Sequence, residues 1–228
     1  MDTFVQTEGN RAAYRRIAAI TQTHDEPERL FLVGPAQSGK TTLVRARQLD
    51  KDLLSKKRVL YRPCAELAEA MRANVYDGYL QDLGEHEVLL LDDFEGFYED
   101  EELGPKMCEL LMRERARLGL DTVITASKPL ASFDLSLFGD ALDGFEEVQI
   151  EPLDREGMLE FVRGLVDDYT DPDVSPVLSD EALEFIAWEM EDELPEMKRK
   201  AMYYLLTQYE GEAGETLSRS FVEQALAR

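Results

Sequence analysis

GPAQSGKTT, residues Gly34–Thr42, is the stretch on which the reading of this 228-residue chain turns. It fits G-x-x-x-x-G-K-[ST], with Gly34, Gly39, Lys40 and Thr41 at the defining positions. In such a loop the glycines let successive backbone N–H groups turn inward around phosphates, and Pro35, Ala36, Gln37, Ser38 and Thr42 complete the cradle. The lysine supplies a point charge to the β and γ oxygens, and the Thr41 hydroxyl faces Mg²⁺. A chance glycine-rich turn would share the letters but not the surroundings. Arg29-Leu-Phe-Leu-Val33 reads as a short buried strand directly before the loop, and Thr41 to Leu49 carries apolar residues at helical spacing. Strand, loop, helix is the order that a phosphate loop requires.

Outward from the loop, four more strands are expected: Arg58–Arg62, Glu87–Asp93, Asp121–Thr125 and Glu147–Ile150. Glu87–Asp93 is apolar on both faces, as a central parallel strand is. Helices are expected over Asn10–Ile20 and Glu99–Leu118. Beyond Pro152 the pattern turns purely helical, with segments near Asp154–Tyr169, Asp180–Met190, Pro195–Tyr209 and Thr216–Ala227, and Ser179 as an N-cap. Alternating strands and helices predict an α/β fold with a parallel five-stranded sheet wound by right-handed crossovers. Residues 1–152 form that core, and residues 153–228 form a small all-helical lid.

Asp and Glu total 48 against 25 Lys and Arg, a formal net charge of −23. From Asp140 to Glu196 there are 20 acidic residues and only two basic ones, Arg155 and Arg163. Duplex DNA is held mainly by neutralising its phosphates, so this balance argues against direct duplex binding. The same acidity suits a high-salt source or a surface made for a basic partner protein. No apolar run approaches a membrane span and no signal-peptide pattern opens the chain. Cys64 and Cys108 lack metal-ligand spacing and read as small buried fillers in a reducing cytoplasm.

A phosphate loop needs a carboxylate for Mg²⁺ and, for hydrolysis, a group that positions or deprotonates water. Val88-Leu-Leu-Leu-Asp92-Asp93 supplies both at the C-terminal end of a strand, where ligands sit in open α/β sheets. Asp92 is assigned to the metal with Thr41, and Asp93 to the water. Glu95, Glu99, Asp100, Glu101 and Glu102 read as a solvated charge run without a role. The small polar residues Thr125-Ala-Ser127-Lys128 end the fourth strand, where a hydroxyl can reach a γ-phosphate, and Ser127 is the candidate. Lys198, Arg199 and Lys200 are the basic cluster of the lid. They read either as a phosphate contact or as an exposed helix face.

Together these segments resemble the AAA+ domain of the DnaA/Hda family of replication regulators. Phe4, Val5 and Gly9-Asn10 resemble the linker that packs beside the adenine in that family. Leu30–Leu43 matches its Walker A region, Leu89–Phe94 its double-Asp Walker B, and Thr125–Pro129 its sensor 1 turn. Ile150–Glu156 and Leu178–Ala187 resemble the start of its lid. The resemblance implies a cytoplasmic protein that binds ATP or ADP with Mg²⁺ and pairs with another AAA+ protein, such as a DnaA-type initiator, or with itself.

Four departures accompany the likeness. The chain ends with the lid, so the family's helix-turn-helix domain is expected to be absent. Gln6 stands outside any sliding-clamp motif. No arginine occurs between Arg117 and Arg155, where the family carries its arginine finger; Ala141 or an acidic neighbour takes the place. The sensor 2 position holds Pro195 or Glu196, with Lys198 the nearest substitute. These features imply a slow ATPase or nucleotide-gated adaptor. A helicase loader of the DnaC type or a non-hydrolysing nucleotide-bound scaffold is the alternative. A small-molecule phosphotransferase would want an arginine-rich lid, and this one is acidic.

Overall fold

Five short strands carry the fold: β1 (Arg29–Val33), β2 (Val59–Pro63), β3 (Val88–Asp92), β4 (Asp121–Ala126) and β5 (Glu146–Gln149). In the computed structural model they pair in parallel in the order β2-β3-β4-β1-β5. The structure describes residues 4–20, 26–73, 76–98, 101–170, 175–190, 195–207 and 214–226. They fall into two units, residues 8–152 in one, and residues 153–228 with the segment ahead of Glu8 in the other. That leading segment, expected with the sheet, thus groups with the helices.

In the sheet unit, β3 and β4 are buried along their whole length, which explains the unbroken apolar run of Val88–Leu91. The strands alternate with α1 (Glu8–Ala19), α2 (Lys40–Gln48), α3 (Lys51–Leu54), α4 (Cys64–Arg72), α5 (Tyr76–Glu85) and α6 (Leu103–Leu118). One apolar cluster joins Phe31, Leu89, Leu91 and Ile124 of the sheet to Leu67 of α4 and to Met107, Cys108 and Leu111 of α6. Phe94 sits at its centre, with ring centroids 5.3 Å from Phe31, 5.0 Å from Phe133 and 5.2 Å from Phe138. Cys64 and Cys108 are free and buried, as expected.

The long helix expected from Glu99 begins at Leu103, because Phe94–Tyr98 winds as a 3₁₀ turn; Glu99 and Asp100 lie outside the described residues. With Glu109 one helical turn before Arg113, the sequence makes Arg113, Arg115 and Arg117 read as one mixed-charge surface face, and the structure corrects that reading. Arg113 pairs with Glu109 and Arg117 with Glu114 on the exposed side. Arg115 is instead 1% exposed. Its guanidinium donates to the carbonyls of Leu83 (2.6 Å), His86 (2.9 Å), Glu87 (3.2 Å) and Asp121 (2.5 Å) and to Thr122 Oγ1 (2.9 Å). Burial pushes its pKa down to about 10. A buried carbonyl without a donor costs on the order of 1–3 kcal/mol, so one arginine settles the chain ends beneath β3 and β4.

The second unit contains α7 (Arg155–Tyr169), α8 (Asp180–Glu184) continued by a π-helical turn over Phe185–Glu189, α9 (Pro195–Thr207) and α10 (Arg219–Leu226). Asp154 caps α7 by accepting from Gly157 N–H at 2.7 Å, and Ser179 caps α8 as expected, from Ala182 N–H at 3.2 Å. Phe161, Leu165, Ile186, Met202, Leu205 and Val222 build its core. One detail differs from the helical reading. Thr216–Leu217, expected to open the last helix, forms a strand (β7) parallel to β6 (Val177–Leu178). No described helix is long and apolar enough to cross a membrane.

Candidate nucleotide site

The sheet order places the C-terminal ends of β3, β4 and β1 side by side, so three separate loops share one edge. At the end of β1 the chain turns at Gly34, where a Cβ would stand 2.1 Å from the Ile150 carbonyl oxygen and 2.7 Å from Ser38 Oγ. No other residue fits there. Gln37 and Gly39 both adopt positive φ, 64° and 92°. Gly39 is the N-cap of α2 and offers no side chain, so the first turn of that helix has no side-chain acceptor for its N–H groups. Uncapped N–H groups and the helix dipole make an anion site. Ser38 Oγ is buried and has no hydrogen-bond partner, a second sign that the cradle is shaped for a group with acceptor oxygens. Pro35, Ala36, Gln37 and Thr41 are exposed, and Thr42 is half-buried.

Lys40 folds back over the loop. Its Nζ donates to Gly34 O at 2.6 Å and Pro35 O at 2.8 Å. Burial lowers its pKa, and the negative charges of Glu95, Asp92 and Asp93 oppose that shift. A lysine bonded only to neutral carbonyls and faced by carboxylates suits an incoming anion.

Asp92, at the end of β3, is 6% exposed and gripped on both oxygens. Tyr61 of β2 donates to Oδ2 at 2.8 Å, and Thr125 of β4 donates to Oδ1 at 2.5 Å. Asp93 turns away from the strand with φ at 65°, strained for a residue with a Cβ. Its N–H donates to Thr125 Oγ1 at 3.0 Å. Burial, a hydrogen bond with Glu95 and the nearby Glu95 and Asp92 charges raise the Asp93 pKa, with Lys40 acting against them.

Glu95 corrects the charge-run reading. It is partly buried, and its Oε1 accepts from both the N–H (2.8 Å) and the hydroxyl (2.5 Å) of Ser127. Burial drives its pKa up, but the bonds from Ser127 and neighbouring backbone N–H groups outweigh that and hold it below the ordinary value. Glu95, Tyr61 and Thr125 are thus site residues that sequence spacing missed. Thr125 had a signal, as a polar residue closing a buried strand; Tyr61 and Glu95 had none.

Of the remaining candidates, Asn10 belongs to the sheet unit, and Phe4, Val5 and Lys198 belong to the helical unit. Asn10 is buried in α1. Phe4 is half-buried, and Val5 belongs to the apolar core of the helical unit. Lys198 is 1% exposed and donates to Ile186 O at 2.7 Å, so the exposed-face reading is corrected for this residue. The geometry brings together Gly34–Thr42, Asp92, Asp93 and Ser127.

A phosphate loop after β1, a paired aspartate ending β3, a 2-3-4-1-5 sheet and a separate small helical unit define the AAA+ class. Within it, the family model of the bacterial DnaA ATPase domain matches residues 1–129, and the chain belongs to that family. The chromosomal replication initiator protein DnaA of Bartonella quintana is 28% identical over 199 residues, covering 82% of this chain; the chain spans 39% of that relative's length. Domain III of the Thermotoga maritima replication initiation protein DnaA superposes with a TM-score of 0.76 at 20% identity, covering 98% of this chain and 93% of that one. AMPPCP-bound DnaA from Aquifex aeolicus gives 0.70 at 20% identity, covering 91% and 65%. The solved structures establish the shared fold.

Proposed function

We propose that this chain binds ATP or ADP with Mg²⁺ and acts in the control of replication initiation, pairing through its nucleotide with another AAA+ protein of the DnaA type or with a second copy of itself. One observation carries the nucleotide: Lys40 on an uncapped, positive-φ loop shares an edge with Asp92, a carboxylate already oriented by two hydroxyls. Thr41 and Asp92 would hold Mg²⁺, which when bound neutralises phosphate charge. Asp93 orients or deprotonates water, and Ser127 faces the terminal phosphate. Phe4 and Asn10 are the side chains we assign to the adenine end, with Val5 anchoring their segment.

The regulatory half of the proposal rests on arginine. A trans-acting arginine at a γ-phosphate is worth roughly 10³–10⁵ in rate. Residues 118–154 contain none, Arg115 is committed to five bonds in the core, and Arg113 and Arg117 are paired with glutamates. Such a subunit receives a finger at its own nucleotide but donates none. A head-to-tail interface needs two different faces, so the subunit ends a filament. Mixed with the DnaA protein of its own organism, it should shorten initiator assemblies, read by light scattering, without raising ATP turnover. Strong stimulation of the initiator's hydrolysis, surviving alanine at Arg113 and Arg117, would refute the capping role.

A further inference from the structure

We propose that Glu95 is a specificity-determining residue of this site, weighting it against a terminal phosphate and towards a nucleoside diphosphate. The inference deepens the nucleotide-binding reading and rests on it. Glu95 stands in the turn that follows β3 and holds Ser127 at the end of β4 through one oxygen, Oε1, at 2.8 Å to the N–H and 2.5 Å to the hydroxyl. Those are two of the donors that the end of β4 can offer a phosphoryl oxygen. A terminal phosphate reaching them must displace a carboxylate that already accepts both, and hydrogen bonds to an ionised acceptor are roughly twice as strong as neutral ones.

The second oxygen, Oε2, is buried and receives no N–H or hydroxyl donor. The Asp93 side chain lies within hydrogen-bond reach of the Glu95 carboxylate. The edge therefore gathers Asp92, Asp93 and Glu95 near Lys40, and the charges of all three act on it. A diphosphate needs only the loop N–H groups and Lys40. A triphosphate adds negative charge towards Ser127 and Asp93, the side of the site that Glu95 occupies. Like charges in a half-buried site repel far more than in water. Glu95 thus acts where the two ligands differ, and a contribution to the fold alone would weaken both alike.

Calorimetric titration of wild type and Glu95→Gln with ADP and with AMPPCP, each with Mg²⁺, tests this. Glutamine keeps an acceptor oxygen for Ser127 and removes the charge. The affinity for AMPPCP relative to ADP should rise about tenfold, the scale on which one close charge shifts an ionic equilibrium. Glu95→Ala, which removes charge and tether together, should move the ratio the same way. A ratio within twofold of wild type in both variants, or equal weakening of both ligands, overturns the inference while ADP binding by wild type keeps the nucleotide reading intact. Wild type that binds neither ligand overturns both.

Discussion

The two halves of the candidate site are built on opposite principles. The loop Gly34–Thr42 works through its backbone. Its glycine closes against Ile150, its helix start is left uncapped, and only Lys40 brings charge. The edge formed by β3 and β4 works through side chains: Tyr61 and Thr125 fix Asp92, Thr125 also receives the Asp93 N–H, and Glu95 fixes Ser127. A backbone site tolerates change at its exposed positions but not at its turns. A side-chain network fails piecemeal, one hydroxyl at a time. The comparison teaches that binding and turnover in this chain should be separable by mutation.

The largest expected effect lies on the side-chain half. Asp93→Asn should lower single-turnover ATP hydrolysis by roughly 10²–10⁴ while Kd for Mg-ATP stays within a few fold, since Asp92 is untouched. Hydrolysis that persists would move the water-positioning role off Asp93 and break the division. Next comes the loop. Lys40→Ala should weaken ATP and ADP about a hundredfold by calorimetry, through loss of a charge-assisted contact, with an unchanged apo melting temperature. Wild-type affinity in that variant would end the phosphate-loop assignment. The smallest effect sharpens the contrast. Thr125→Val removes one of the two hydroxyls on Asp92 and the acceptor for Asp93 N–H. It should raise the Mg²⁺ concentration needed for nucleotide binding about tenfold, leaving Mg²⁺-free binding alone. Tyr61→Phe should do the same more weakly. A uniform loss with and without Mg²⁺ would mean that these hydroxyls support the fold rather than the metal carboxylate.

Legibility follows the same line. The five strands were readable to within a residue or two because each is a short apolar run bounded by turns, and the loop because its glycines and lysine are contiguous. The 3₁₀ turn at Phe94–Tyr98 was not, since its residues pack as a hub of aromatic contacts with partners far along the chain. Arg115 was misread although its position held a clue. On a helix, residues 113 and 117 share a face, and 115 points the other way. In the lid, a pattern of four helices hid β6 and β7, two-residue strands too short to leave a period.

By itself the sequence determined that a parallel sheet carries a phosphate loop and a strand-end aspartate pair, because both are local patterns written in neighbouring residues. It also determined that no arginine stands where a finger is expected between residues 117 and 155. Only the tertiary structure decided which polar residues join the site. Tyr61, Glu95 and Thr125 meet partners 31 to 33 residues away, placed by the pairing of β2 with β3 and of β3 with β4 and by the turn that follows β3. A glutamate in an acidic run and a glutamate gripping Ser127 are the same letter; burial and hydrogen bonding across the sheet edge tell them apart.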